Sequence, residues 1–145
     1  MGCQVCPKGA RGCGRYCLNP ELLLHRQIPP AWVQGDRVTS QSFKPYSKDD
    51  NRVSVYRDDL MSAEEAWQHY TKELSVSSVG VIAVNVDECQ NESLKVDPDG
   101  VPFPAHASIV FPTELSKNQI EKTAGRLAAK ARARGWQYGP VATSI

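Results

Sequence analysis

The stretch Ser78–Val86, SVGVIAVNV, decides the fold class. Seven of the eight residues from Val79 to Val86 are apolar or glycine, and β-branched side chains lose little freedom on a pleated surface. A short unbroken apolar run suits a strand covered on both faces. The valines and Gly80 argue against a buried helical segment of the same length. The reading is the central strand of one sheet.

Upstream, Ser62–Leu74 carries a helix signature. Ser62 with Glu65 makes a capping box, Met61 can staple onto Ala66, and Ala63, Ala66, Trp67, Tyr70 and Leu74 share one stripe at helical spacing. His69 falls off that stripe, between Glu65 and Glu73, and reads as a solvated surface histidine. Downstream, Asp87 can cap a short helix over DECQNESL, where Cys89 is a small buried apolar residue. The three prolines and the glycine of Asp97–Pro104 make an irregular, stiff connection. Ala105–Phe111 then alternates as a strand, with Ala107, Ile109 and Phe111 on one face. His106, Ser108 and Val110 take the other face, read as solvent-facing. Ser116–Arg134 is a second helix: Ser116 and Gln119 repeat the capping box, and Gly135 stands at C′. Trp136-Gln137-Tyr138 forms a last edge strand or packs back on the fold.

The first half is less regular. Glu21–Ile28, ELLLHRQI, suits a strand or a short helix, ended by Pro29-Pro30. Arg37–Phe43 and Asn51–Arg57 alternate as strands and read as a β-hairpin around the turn KPYSKDD. The expected fold is therefore α+β: a single mixed or antiparallel sheet of about four to five strands packed by two main helices. That domain covers residues 21–145 and follows a Cys-rich basic extension over residues 1–20.

Composition narrows the class. The 145 residues are 41% hydrophobic and 23% charged, ordinary for a soluble globular domain. No run approaches the roughly 18 apolar residues of a membrane span, and the N-terminus lacks the apolar core of a secretory signal. A cytoplasmic location with reduced thiols is the expectation. The net charge of +1 hides an asymmetry: residues 1–20 and 116–138 are basic, while residues 21–115 carry eight basic and fifteen acidic side chains. On the second helix Lys122, Arg126, Lys130, Arg132 and Arg134 form a basic set that a nucleic acid could meet, or simply a solvated face.

Four of the five cysteines lie in the leader, spaced Cys3-x2-Cys6-x6-Cys13-x3-Cys17. A C-x2-C pair lets two thiolates of one turn reach the same ion, and a second pair closes a tetrahedron. Glycines supply the positive φ of such knuckles, and Lys8, Arg11 and Arg15 offset thiolate charge. Zinc on these four cysteines is the leading cofactor expectation, with an iron–sulfur cluster second. The alternative is a basic, cysteine-bearing tail outside the fold.

Strong catalytic signatures are absent. The sequence has no phosphate-binding G-x-x-x-x-G-K-[ST] loop, no G-x-G-x-x-G turn, no G-x-S-x-G elbow and no H-E-x-x-H. The three histidines fall in three different elements. What remains is a set of polar residues on sheet-building segments: His25, Arg26, Ser40, Tyr56 and His106. Polar side chains on a strand face need water or partners. If the strands gather them, they form a cleft able to hold a phosphate or nucleotide. The order of a basic residue (His25-Arg26), a Ser/Thr strand (Thr39-Ser40) and then Tyr56 looks faintly like ADP-ribosyltransferase-type folds. The chain departs from that pattern in having no glutamate at the end of a later strand, so no family follows from it. The leading functional expectation is a non-enzymatic binding or accessory protein with a zinc-bearing leader and a protein or nucleic-acid partner. A small enzyme acting on a nucleotide or other phosphorylated ligand is the alternative. An immunity-type protein that binds a partner through its acidic middle is a third.

Overall fold

The computed structural model of the chain describes residues 18–35, 37–45 and 51–141. Cys3, Cys6, Cys13 and Cys17, the expected zinc ligands, lie outside the described residues. In chain order the elements are β1 (Leu23–Gln27), a 3-10 turn (Pro30–Trp32), β2 (Val33–Gln34), β3 (Arg37–Val38), a second 3-10 turn (Ser40–Phe43) and β4 (Arg52–Arg57). There follow α1 (Ala63–Gln68), which runs on as a π-helical turn (His69–Glu73), then β5 (Val81–Asn85), α2 (Val86–Asn91), β6 (Lys95–Asp97), β7 (His106–Val110) and α3 (Lys117–Arg134). Five strands form one antiparallel sheet in the order β5-β1-β4-β7-β6, and β2 and β3 form a separate ribbon. The α+β class and the antiparallel sheet of five strands are as the residue patterns indicate.

Within the apolar run Val79–Val86, residues Val81–Asn85 form a strand, buried except for the half-exposed Asn85, but it is the terminal strand of the sheet rather than its centre. Residues 136–141 close its free edge. Val81 N donates to Tyr138 O at 2.9 Å, Gln137 N donates to Val81 O at 2.8 Å, and Val141 N donates to Val79 O at 2.6 Å. Gly80 permits this approach, because a Cβ there would sit 2.5 Å from Tyr138 O and 2.8 Å from the Trp136 ring. Closing segments of this kind remove the unpaired N–H and C=O groups of an edge strand.

The expected hairpin between Arg37–Phe43 and Asn51–Arg57 does not form. Val38 turns back to pair with Val33, Ser40–Phe43 coil as a 3-10 turn, and β4 inserts between β1 and β7. The turn places Phe43 in the core against the α3 side of the sheet. There Leu24, Ile28, Val53, Val55, Ile82, Val84, Ala107 and Ile109 pack against Ala124, Leu127, Ala128 and Ala131 of α3. A helix face of small residues allows this close seating on a sheet. Both capping boxes are in place, at Ser62/Glu65 and Ser116/Gln119. The cap of α2 falls two residues earlier than expected, on Asn85, whose side chain accepts from Glu88 N at 2.8 Å.

Strand alternation sends His25 and Gln27 to the opposite face of β1 from Leu24 and Ile28. On that second face a smaller cluster of Tyr56, Ala66 and Ala105, with Met61, Tyr70 and Phe103 beside it, seats α1 and the π turn. The sheet is therefore apolar towards α3 and polar towards α1. Its polar side carries the candidate site.

Candidate functional site

Three candidates from three strands stand in one row. In the register of the sheet His25 of β1 lies opposite Tyr56 of β4, and Tyr56 lies opposite His106 of β7. Cross-strand neighbours have their Cβ atoms about 5 Å apart, so these side chains form a continuous polar band.

His25 is 1% exposed and Gln27, on the same face, 4%. Nε2 of His25 lies 2.8 Å from Asp58 Oδ1. Asp58 sits just beyond β4 and is held there by its own N–H, which donates to Leu23 O at 3.0 Å. Burial lowers the pKa of His25, and the hydrogen bond and charge of Asp58 oppose that shift without cancelling it. The ring is thus neutral near pH 7. An ionised carboxylate only accepts, so the proton belongs on Nε2 and the lone pair on Nδ1. That Nδ1 is buried without a hydrogen-bond partner, as are both amide atoms of Gln27. Buried polar atoms without partners are uncommon and mark sites of bound water, ion or ligand.

At the centre of the row the Tyr56 hydroxyl lies 2.8 Å from His69 Nδ1. Burial, and then the nearby Tyr70, push the Tyr56 phenol well above its ordinary pKa, so it is a neutral O–H at physiological pH. Its ring stacks on Phe103 at 4.9 Å between centroids, and Phe103 also meets His69 at 4.4 Å and the edge of His106 at 5.4 Å. His69 is therefore a half-buried member of the site and not a solvated surface residue. The helix is still α-helical as far as His69, which follows the buried Ala66 by three residues and so borders the buried stripe on the side that meets Tyr56 and Phe103.

At the far end His106 Nδ1 lies 2.6 Å from Asp99 Oδ1, and the Ser108 hydroxyl donates to Asp99 Oδ2 at 2.8 Å. Arg52 completes the corner, with Nη1 at 3.0 Å from Asp97 Oδ2 and 3.7 Å from Asp99 Oδ2. His106 and Ser108 do not face open solvent, because the proline-rich connection folds back over β7 and brings Asp99 and Phe103 onto them.

All three histidines of the chain thus surround one tyrosine, and two are oriented by a carboxylate. Arrangements of base and orienting acid are how proteins fix a tautomer for proton transfer. Among the described residues no group of three or more His, Cys, Asp or Glu side chains is disposed to hold a metal ion.

The other two candidates are placed differently. Arg26 starts from the α3 side of β1 and clasps the seam where β1 and β4 part: Nε donates to Ser42 O at 2.6 Å, Nη1 donates to Ser54 O at 2.8 Å, and the guanidinium lies over Trp32 at 5.0 Å. Its charge reaches the Tyr70 phenol, whose pKa burial raises and Arg26 opposes. Ser40 lies apart from the row, on the 3-10 turn that packs against α3. The basic set of α3 is largely engaged within the fold. Arg134 grips Glu88 with two donors at 2.9 and 3.0 Å, Arg126 donates to Glu92 at 2.7 Å, and Arg132 donates to Val38 O at 2.8 Å. Lys122 and Lys130 remain exposed.

Sequence reasoning does not mark Gln27, Asp58, Asp99 or Phe103, and reads Tyr70 only as part of the packed stripe of its helix. The one signal for Gln27 was the polar run His25-Arg26-Gln27 inside an otherwise apolar strand.

The chain matches no protein-family model, no curated protein and no solved structure. Among the described residues no helix is long and apolar enough to cross a membrane.

Proposed function

We propose that this protein binds a small polar molecule against the α1 side of its sheet and exchanges protons with it. The observation that carries the reading is the neutral, carboxylate-oriented His25, whose Nδ1 is buried with no partner beside an equally unpartnered Gln27. In this reading His25 accepts a hydrogen bond or a proton through Nδ1. The Gln27 amide recognises a donor–acceptor edge of the ligand, and His106, oriented by Asp99, is the second acid–base group. Tyr56 sets the spacing between the two imidazoles. The exposed Asp58 and the half-buried His69, Tyr70 and Phe103 mark the side from which a ligand enters, since the π turn above them is a locally irregular element. This is the enzyme-like alternative of the sequence, centred on His25, Tyr56 and His106.

A ligand-observed NMR screen of nucleosides, nucleotides, sugar phosphates and small amides tests it. Binding should be found, and should be lost in both His25→Ala and His106→Ala while their circular dichroism is unchanged. If no class binds, or if every ligand that binds does so equally well in both variants, the reading is overturned.

The cysteine leader supports a separate proposal, a zinc knuckle with a protein or nucleic-acid partner, on its spacing alone. Metal content of untagged protein beside a Cys3→Ser/Cys6→Ser variant tests that one: about one zinc per chain, lost in the variant, is the expected result.

A further inference from the structure

Arg37 and Arg132 stand together on the α3 side of the sheet, at the wall between two recesses that both of them line. One recess, of about 360 Å³, is completed by Gln34, Thr39, Ser40 and Gly125. The other, of about 220 Å³, runs past Val38 towards Trp136. Arg37 comes from the β2–β3 ribbon and Arg132 from the last turn of α3. The two are held in register because Arg132 Nη1 donates to Val38 O at 2.8 Å, one residue from Arg37. Burial and then the charge of Arg37 lower the pKa of Arg132, as expected of neighbouring cations.

Arg52, Arg57, Arg126 and Arg134 each have a carboxylate within 4 Å; among the described residues Arg37 and Arg132 have none. Two adjacent guanidinium ions repel each other unless an anion lies between them. The Arg132 fork has five N–H donors, of which the bond to Val38 O uses one, and such forks match the oxygens of phosphate in pairs. Thr39 and Ser40 add hydroxyl groups to the same wall. Gly125 leaves the space beside α3 open, since a Cβ there would meet nothing within 4 Å.

We infer that this groove binds the phosphate group of a small phosphorylated molecule between Arg37 and Arg132, with Ser40 and Thr39 as further donors. A nucleic-acid backbone fits less well. It needs a track of unengaged cations along its phosphates, and the neighbouring Arg126 and Arg134 are tied to Glu92 and Glu88. The groove lies on the other side of the sheet from His25, so this inference stands or falls independently of the site proposed above.

The test is a titration of the full chain with inorganic phosphate and, separately, ribose 5-phosphate. It reads the amide resonances of Thr39, Ser40 and Gly125 at constant ionic strength, with chloride as the reference anion. Saturable shifts larger than those with chloride are expected. The exposed Arg37→Ala should weaken binding about tenfold, the loss of one charge-assisted contact, and Arg37→Lys by less. Ser40→Ala should weaken it about threefold, and His25→Ala should leave it unchanged. Equal response to chloride, or undiminished affinity in both Arg37→Ala and Ser40→Ala, overturns the inference. Tighter binding of a single-stranded oligonucleotide than of ribose 5-phosphate at these residues also overturns it, in favour of a nucleic-acid surface.

Discussion

His25 Nε2 lies 2.8 Å from Asp58 Oδ1, while the other nitrogen of the same ring is buried with no partner. The ring is neutral because burial outweighs the aspartate, and that has a consequence for stability. The folded-state pKa lies below the value of about 6.5 for a free histidine. Between those two values the unfolded chain holds a proton that the native state does not, so stability rises with pH across that window. It is fully present above about pH 6.5 and falls as acid is added. Urea unfolding of wild type and His25→Gln across this range checks it: the wild-type midpoint should climb more steeply with pH than that of the variant. Parallel curves would show that His25 is not buried in its neutral form.

The edge closure at β5 depends on Gly80. Alanine there would drive a Cβ to 2.5 Å from Tyr138 O, and forcing extra atoms into a packed site costs about 1–3 kcal/mol. Gly80→Ala should therefore lower the unfolding free energy by that amount in denaturant. It should also raise amide exchange at Gln137, whose N–H donates to Val81 O.

The basic residues of α3 differ in what they contribute. Glu88 is held below the usual carboxylate range: its burial acts the other way, but the Arg134 fork and the Asn85 backbone outweigh it. Arg134→Met should cost about 2 kcal/mol, because it strands a partly buried carboxylate and also loses the bond to Ala83 O. Arg126→Met breaks a far more exposed pair and should cost less than about 1 kcal/mol. Chemical denaturation of the two variants side by side reads the difference.

Tyr56→Phe keeps the stack on Phe103 and removes only the hydroxyl that meets His69 Nδ1. A loss of about 1 kcal/mol is expected. Its local signature should be faster hydrogen exchange in the π turn His69–Glu73, with no change in the amides of α3. Uniform loss of protection across the whole sheet would instead mean that Tyr56 supports the core rather than the site.

Much of this architecture was legible in residue patterns. Most of the Val79–Val86 run, Val81–Asn85, is a strand because its β-branched residues and Gly80 favour a strand over a buried helix, and the capping boxes at Ser62 and Ser116 start their helices as read. What sequence spacing could not convey was pairing between distant segments. Arg37–Phe43 alternates like a strand, yet Val38 pairs with Val33 and Phe43 drops into the core, so local alternation misled. His69 borders the stripe, three residues beyond the buried Ala66, and no pattern within the helix announces the Tyr56 hydroxyl that meets it from β4. The site was visible only as unconnected polar residues. His25, Tyr56 and His106 become neighbours through strand register, and Asp58 and Asp99 reach them from loops whose course no local rule predicts.

The decisive measurement is a long-range ¹H–¹⁵N spectrum of the three imidazoles between about pH 5 and 8, the interval in which histidine ordinarily titrates, before and after addition of a ligand from the screen. His25 should appear as the neutral Nε2–H tautomer, and its Nδ1 resonance alone should move strongly when the ligand binds. A proton on Nδ1, a ring that titrates near 6.5 like a free histidine, or an Nδ1 signal indifferent to every ligand would contradict the proposed site.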